Sequence, residues 1–334
     1  GVNQGTVTSV GGTFSNIGNL IGGTGADDFI FSNNAGLSGT LNGGGGNDNL
    51  DWSAYTTARN VTLIGPGSVD GVQGTEASIA GGFDNTTSLI GANGASGLLN
   101  ALTGPNSSNT WNVTANNAGK LDGALSFSNF QTLTGGSGAD TFNLSAGVSG
   151  SINGGGGSDT VNIVSSFTAP APTLSINNVG TIGDSASATI TATTLAISGA
   201  SSIGSAGNPL LAAIIALQIA GSSGAGFITT AGSVDLQGIN LGSGVLTLAS
   251  GGSITDTTGQ NVVADTLNLA AAAGAGTAAA PIKTVVNTLN TAVIGAGDIN
   301  VSNTGALALG TTSTADGTIA VTASGALTAN GPIT

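Results

Sequence analysis

GDINVSNTGALALG (residues 297–310) returns 20 residues later as GTIAVTASGALTAN (residues 317–330), a shift that lays Ile299 on Ile319, Val301 on Val321, Gly305 on Gly325 and Leu307 on Leu327. Within each copy the apolar residues alternate with small or polar ones over short runs, and Gly, Asn and Ser bound the runs. Alternation is the period of a strand, and those boundary residues are turn formers. A unit this short cannot bury its apolar side alone. Stacked copies can, because each coil then hydrogen-bonds to the next at about 4.8 Å and the inward side chains form one narrow core. The repeat therefore predicts an all-β chain, a parallel β-helix (β-solenoid) of about 20-residue coils.

Other segments fit that frame. LLAAIIALQIA (residues 210–220) has the apolar density of a buried helix and is too short to span a bilayer. Its surroundings, GSAGNPLLAAIIALQI (residues 204–219), parallel GTAAAPIKTVVNTLNT (residues 276–291), where Val285, Val286 and Thr288 favour strand, so both read as coils. Nearer the start, FSNIGNLIGGTGADDFIF (residues 14–31) returns as FSNFQTLTGGSGADTFNL (residues 127–144). A degenerate third copy lies between them, running through Phe83 and LTGPNSSNTWNV (residues 102–113), with Pro105 and Asn109 in place of Gly136 and Asp140. This alignment groups Phe14, Phe83 and Phe127, and also Phe29, Trp111 and Phe142. Both sets read as core packing rather than as a sugar-binding platform.

Composition narrows the function. Of 334 residues, 59 are Gly, 3 are Lys or Arg and 16 are Asp or Glu, with no His, Cys or Met. A net charge of −13 with three scattered cations leaves no basic patch, so nucleic acid and acidic membrane surfaces are poor partners, and no segment is suited to membrane insertion. Without Cys and His there are no disulfides, no thiolate or imidazole metal ligands, and no Ser-His or Cys-His nucleophile. Composition shifts at Thr168-Ala169-Pro170-Ala171-Pro172, which suggests regions 1–167 and 168–334, expected to form one continuous rod.

Four segments, GGTGADDFI (22–30), GGGGNDNLD (43–51), GGSGADTFN (135–143) and GGGGSDTVN (154–162), follow the pattern G-G-x-G-x-D-x-U-x. Here the sequence resembles repeats-in-toxin proteins. The glycines permit a tight turn with converging carbonyls, and the Asp supplies a hard anionic oxygen, which makes Asp27, Asp48, Asp140 and Asp159 candidate calcium ligands. In that family successive loops one turn apart sandwich each ion. Here the paired loops lie 21 and 19 residues apart, and no third loop follows in either pair. The competing reading is a purely structural turn in which Asp bonds backbone N–H groups. Both readings stay open on sequence.

A carboxylate pair for polysaccharide cleavage could be sought among Asp27, Asp28, Asp48 and Asp51, but the turn motif already accounts for these residues, and we expect no enzyme. Threonine-rich strands such as residues 189–194 read as solvated faces, and Asn60, Asn85 and Asn112 begin N-glycosylation patterns of low specificity.

From about residue 195 onward the sequence resembles the giant filamentous-haemagglutinin-like exoproteins of Gram-negative bacteria. LTLASGGSITDTTGQNVVADTLNLAA (246–271), PIKTVVNTLNTAVIGAGDINVSNTGALALG (281–310) and GTIAVTASGALTANG (317–331) carry the resemblance. It implies a secreted, extracellular or cell-surface β-helical rod, an adhesin or matrix filament, whose partner would be a host or cell-surface glycan or protein. The secretion domain that such proteins carry at the mature N-terminus is not recognisable, so an interior stretch is expected. Residues 1–8 already read as strand and the pattern runs to Thr334, which suggests self-association or continuation into a longer filament.

Overall fold

A computed structural model describes residues 1–7, 12–93, 97–185 and 187–334. It is built of β-strands and turns, and its contacts divide it into two compact units, Gly1–Asp159 and Thr160–Thr334.

The second unit is a parallel β-solenoid. Its clearest feature is one inward column in which Val161, Ile182, Ile203, Gly226, Leu246, Leu267, Leu289 and Leu309 pair in register from coil to coil. All eight positions are buried. At Gly226 the side chains of Leu241 and Leu246 close over the missing one. A second column runs Ile176, Ile197, Ile219, Ile239, Val262 on the other sheet. Alternation produces both: Val245–Ser250 and Thr266–Ala271 each alternate half-buried and buried residues along their length. Each buried Leu, Ile or Val contributes about 1.5–3 kcal/mol by leaving water.

The terminal repeat pairs as its sequence predicts. Ile299 sits opposite Ile319, Val301 opposite Val321 and Leu307 opposite Leu327, and the Gly325 N–H donates to the Gly305 carbonyl at 2.9 Å. The helix-like stretch is also strand, as Leu210–Ala213 and Ala216–Ala220. Its sequence relative forms Ile282–Val285 and Thr288–Ala296. Both begin with a left-handed glycine (Gly204, φ 63°; Gly276, φ 71°) and a turn closed by reciprocal backbone bonds, Ser205 with Asn208 and Thr277 with Ala280. The two turns nevertheless break opposite sheets, since Leu210 pairs with Ile228 in one and Ile282 with Val301 in the other. The compositional shift at residues 168–172 falls inside this unit, in the turn between Phe167–Thr168 and Thr173–Asn177.

The first unit stacks parallel coils too, with columns Leu20, Leu41, Phe83 and Phe29, Leu50, Leu89, Phe127. It departs from a uniform coil at two antiparallel excursions. Asn60–Pro66, Val72–Glu76 and Ile79–Thr86 form one, and Thr110–Ala115, Ala118–Leu121 and Leu125–Ser128 the other. The degenerate third copy lies in this region, and the extra strands re-sort the aromatic sets. Trp111 and Phe142 do pair, their rings stacked at 5.5 Å, but Phe29 shares its column with Phe127, and Phe83 belongs to the opposite sheet. Phe14 lies in a hairpin of Gln4–Val7 with Gly12–Ser15; of the residues 1–8 read as strand, Thr8 lies outside the described residues.

Register makes a test. Leu267→Ala removes a fully buried side chain from mid-column and should lower unfolding stability by about 2–5 kcal/mol, whereas Thr266→Ala, half-buried on the outer face of the same strand, should cost under about 1 kcal/mol. Denaturant titration of the two variants measures the difference.

Candidate functional site

The four glycine-rich motifs occupy the same kind of corner, each linking a strand of one sheet to a strand of the other: Leu20–Ile21 to Asp28–Ile30, Leu41–Asn42 to Asn49–Asp51, Thr132–Gly136 to Thr141–Leu144, and Ser151–Gly155 to Thr160–Ile163. Two positions show why glycine is needed. Gly46 has φ 119°, which an L side chain rarely adopts, and a Cβ on Gly43 would lie 2.0 Å from the Asn85 carbonyl oxygen and 2.5 Å from Asp48 Oδ2.

The sequence-predicted residues come together in pairs on adjacent coils. Asp48 Oδ1 accepts the Asp27 N–H at 3.0 Å, and Asp159 Oδ1 accepts the Asp140 N–H at 2.8 Å. Asn109, at the Asp position of the degenerate copy, extends the second pair. Asp140 Oδ1 accepts both its N–H at 2.8 Å and its Nδ2–H at 2.7 Å. Asp48, Asp140 and Asp159 therefore each staple their own corner to the backbone of the preceding coil.

The remaining oxygens differ. Asp27 is half-exposed and its Oδ2 accepts the Gly23 N–H of its own turn at 2.6 Å. Asp48, Asp140 and Asp159 are buried, and their Oδ2 atoms have no donor. At two corners the cause is an asparagine. Asn42 and Asn153 accept the Gly44 and Gly155 N–H groups at 2.9 and 3.0 Å, whereas Ile21 pairs in register with Asn42 and leaves the Gly23 N–H for Asp27.

Burial raises all three carboxyls above the ordinary Asp value. The Asp27 N–H opposes this at Asp48, the Asn109 donors at Asp140 and the Asp140 N–H at Asp159. Nearby negative charge reinforces burial, from Asp27 and Asp70 at Asp48 and from Asp159 and Asp122 at Asp140.

As a calcium site the corner is sparse. Ca²⁺ takes six to eight oxygens. Each buried carboxylate offers one uncommitted oxygen, and among the described residues no three acidic side chains gather closely enough to hold an ion. Asp28 is exposed on the outer face and Asp51 Oδ1 accepts the Ser53 N–H at 2.6 Å, so neither faces Asp27 or Asp48 as a partner carboxylate. Of the glycosylation patterns, Asn60 is exposed, while Asn85 is buried and Asn112 accepts the Asn143 Nδ2–H at 3.0 Å.

Two clusters escaped the sequence reading. The first excursion lays a loop against the second corner, where Asp70 Oδ2 accepts the Gly46 N–H at 2.8 Å and Asn85 Nδ2 donates to Asn42 Oδ1 at 2.8 Å. The glycine-punctuated run GPGSVDG (residues 65–71) was its only signal. The same excursion carries an ion pair, Arg59 to Glu76 at 3.0 Å, with the guanidinium 4.1 Å from the centre of the Tyr55 ring. The other Glu76 oxygen accepts the Ser78 N–H at 2.8 Å, and Ser78 Oγ accepts the Trp52 Nε1–H at 2.9 Å. Every charged atom here is matched, which is the signature of a lock holding the excursion to its coil rather than of a site awaiting ligand.

No family model matches the chain, and comparisons with curated proteins and with solved structures find no match.

The lock predicts its own failure. Arg59→Ala leaves Glu76, 1% exposed, without its counter-charge and should destabilise the first unit by roughly 3–5 kcal/mol. Tryptophan fluorescence during denaturation reads this, because Trp52 is part of the cluster.

Proposed function

We propose that the chain is a stretch of structural, adhesive rod from a large secreted bacterial surface protein or extracellular filament. The observation that carries the reading is the unbroken register of the Val161 to Leu309 column, which gives a stiff scaffold from a low-charge sequence. Self-association fits as well. The strand Ile319–Ala323 leaves Ile319 and Val321 half-buried, although their in-register partners Ile299 and Val301 are fully buried, so a further coil there, from continued chain or from a copy, would extend the column. The reading assigns no reaction to the chain. Binding of the purified protein to a glycan or host-protein array, without turnover, is the expected outcome; turnover on a glycan panel would overturn it. Light scattering should show concentration-dependent association, and a monodisperse monomer at high concentration would remove the stacking part.

A second reading, a calcium-stabilised β-roll module, draws on the unpartnered Oδ2 atoms of Asp48, Asp140 and Asp159, which a cation would satisfy. On that reading Ca²⁺ at a hundredfold excess over Kd stabilises the fold by about 2.7 kcal/mol. Melting curves with Ca²⁺ and with chelator test it directly, and superimposable curves leave the structural corner alone.

A further inference from the structure

We infer that Asn330 is a site of spontaneous deamidation: with Gly331 it closes to a succinimide that water opens to aspartate or isoaspartate, and the isoaspartate frees residues 331–334 from the strand they lie against. This goes beyond the rod reading and does not depend on it.

The reaction asks two things of an Asn-Gly pair. The glycine nitrogen must be free to give up its proton to solvent and attack Cγ, and the side-chain amide must be free to turn and leave. The N–Cγ bond forms as Cγ–Nδ2 breaks, so one ammonia departs; one water then adds at either ring carbonyl and breaks its bond to nitrogen, with no oxidation or reduction. Glycine favours the attack because no Cβ blocks it. Opening at one carbonyl restores the ordinary backbone with Asp in place of Asn, whereas opening at the other routes the chain through Cβ and Cγ and adds one carbon to the backbone.

Three Asn-Gly pairs lie wholly within the described residues. The fold locks two of them. Asn42 Oδ1 accepts the Gly44 N–H at 2.9 Å and the Asn85 Nδ2–H at 2.8 Å, and the Gly43 N–H itself donates to the Asp84 carbonyl at 2.9 Å. Asn153 Oδ1 accepts the Gly155 N–H at 3.0 Å, and Gly154 is buried within the strand Ser151–Gly155. Attack at either pair breaks bonds that set a corner. Asn330 differs on each count, because it is exposed, its side chain makes no hydrogen bond, and the Gly331 N–H has no acceptor among the described residues.

The product matters because backbone bonds on both sides of the pair tie this segment to the strand Leu307–Asp316. The Asn330 N–H donates to the Leu309 carbonyl at 2.7 Å, the Thr312 N–H to the Pro332 carbonyl at 3.0 Å, and the Thr334 N–H to the Thr312 carbonyl at 3.0 Å. An added backbone carbon between the first anchor and the second puts them out of step. The bonds beyond Gly331 are then lost.

Ageing the protein in mildly alkaline buffer and mapping its peptides by mass spectrometry tests the site. Asn330 should deamidate about tenfold or more faster than Asn42 or Asn153, since each bond retained at those corners adds to their barrier, whereas in urea the three should react at similar rates. Asn330 persisting as the amide in native protein while the urea control converts overturns the inference, as does either corner asparagine keeping pace with it. Hydrogen exchange reads the release. The Thr312 and Thr334 amides should lose protection in aged wild type and keep it in aged Asn330→Gln, whose longer side chain closes the ring far more slowly. Unchanged protection in a sample converted to isoaspartate refutes the release. The rod reading survives either result.

Discussion

Hydrogen bonds from the backbone of one coil to the next govern everything else in this protein. In a parallel stack each N–H and C=O of a strand is committed to the coil above or below, so a strand shifted by one residue would turn its apolar side outward. Register is therefore shared: once Leu246 sits on Leu267, Leu248 must sit on Leu269 and Thr247 on Asn268. The outer columns exploit that constraint. Asn268 donates to Thr247 at 3.0 Å and Asn290 to Asn268 at 2.8 Å, so neighbouring coils are joined by side chains as well as by backbone.

The composition follows from the same geometry. Inward columns in a narrow bore take Leu, Ile, Val and Ala, while the outer faces bind polar neighbours one coil away and gain little from charge. Corners must repeat the same path in successive coils, which selects glycine where a Cβ would strike the adjacent turn and Asp or Asn where the preceding N–H needs an acceptor. The carboxylate corners thus help hold the stack together, and burial raises the carboxyls of Asp48, Asp140 and Asp159 above the ordinary Asp value.

The first unit shows what happens when the coil is interrupted. Its two excursions add antiparallel strands whose edges must be held to the coil. There the chain places its Arg59–Glu76 pair, Tyr55, and the tryptophans Trp52 and Trp111, all larger or more charged than the plain repeats require. The polar lock and the stacked Trp111–Phe142 rings fix the geometry that a regular coil obtains from register alone.

The repeats at residues 297–330 settled the fold and even the residue pairing, because a parallel stack maps a sequence period directly onto spatial neighbours. The aspartate pairs were legible for the same reason, since Asp27 with Asp48 and Asp140 with Asp159 are one coil apart. Other features depended on contacts between residues of unequal spacing, which no period encodes. The antiparallel excursions moved Phe29 into Phe127's column, and the related segments at 204–219 and 276–291 break opposite sheets because a corner's sheet depends on every coil before it. The sequence also could not show which carboxylate oxygens are left without a donor. That depended on Asn42 and Asn153 taking amides that a neighbouring Asp would otherwise have accepted, a competition decided only when the coils are stacked.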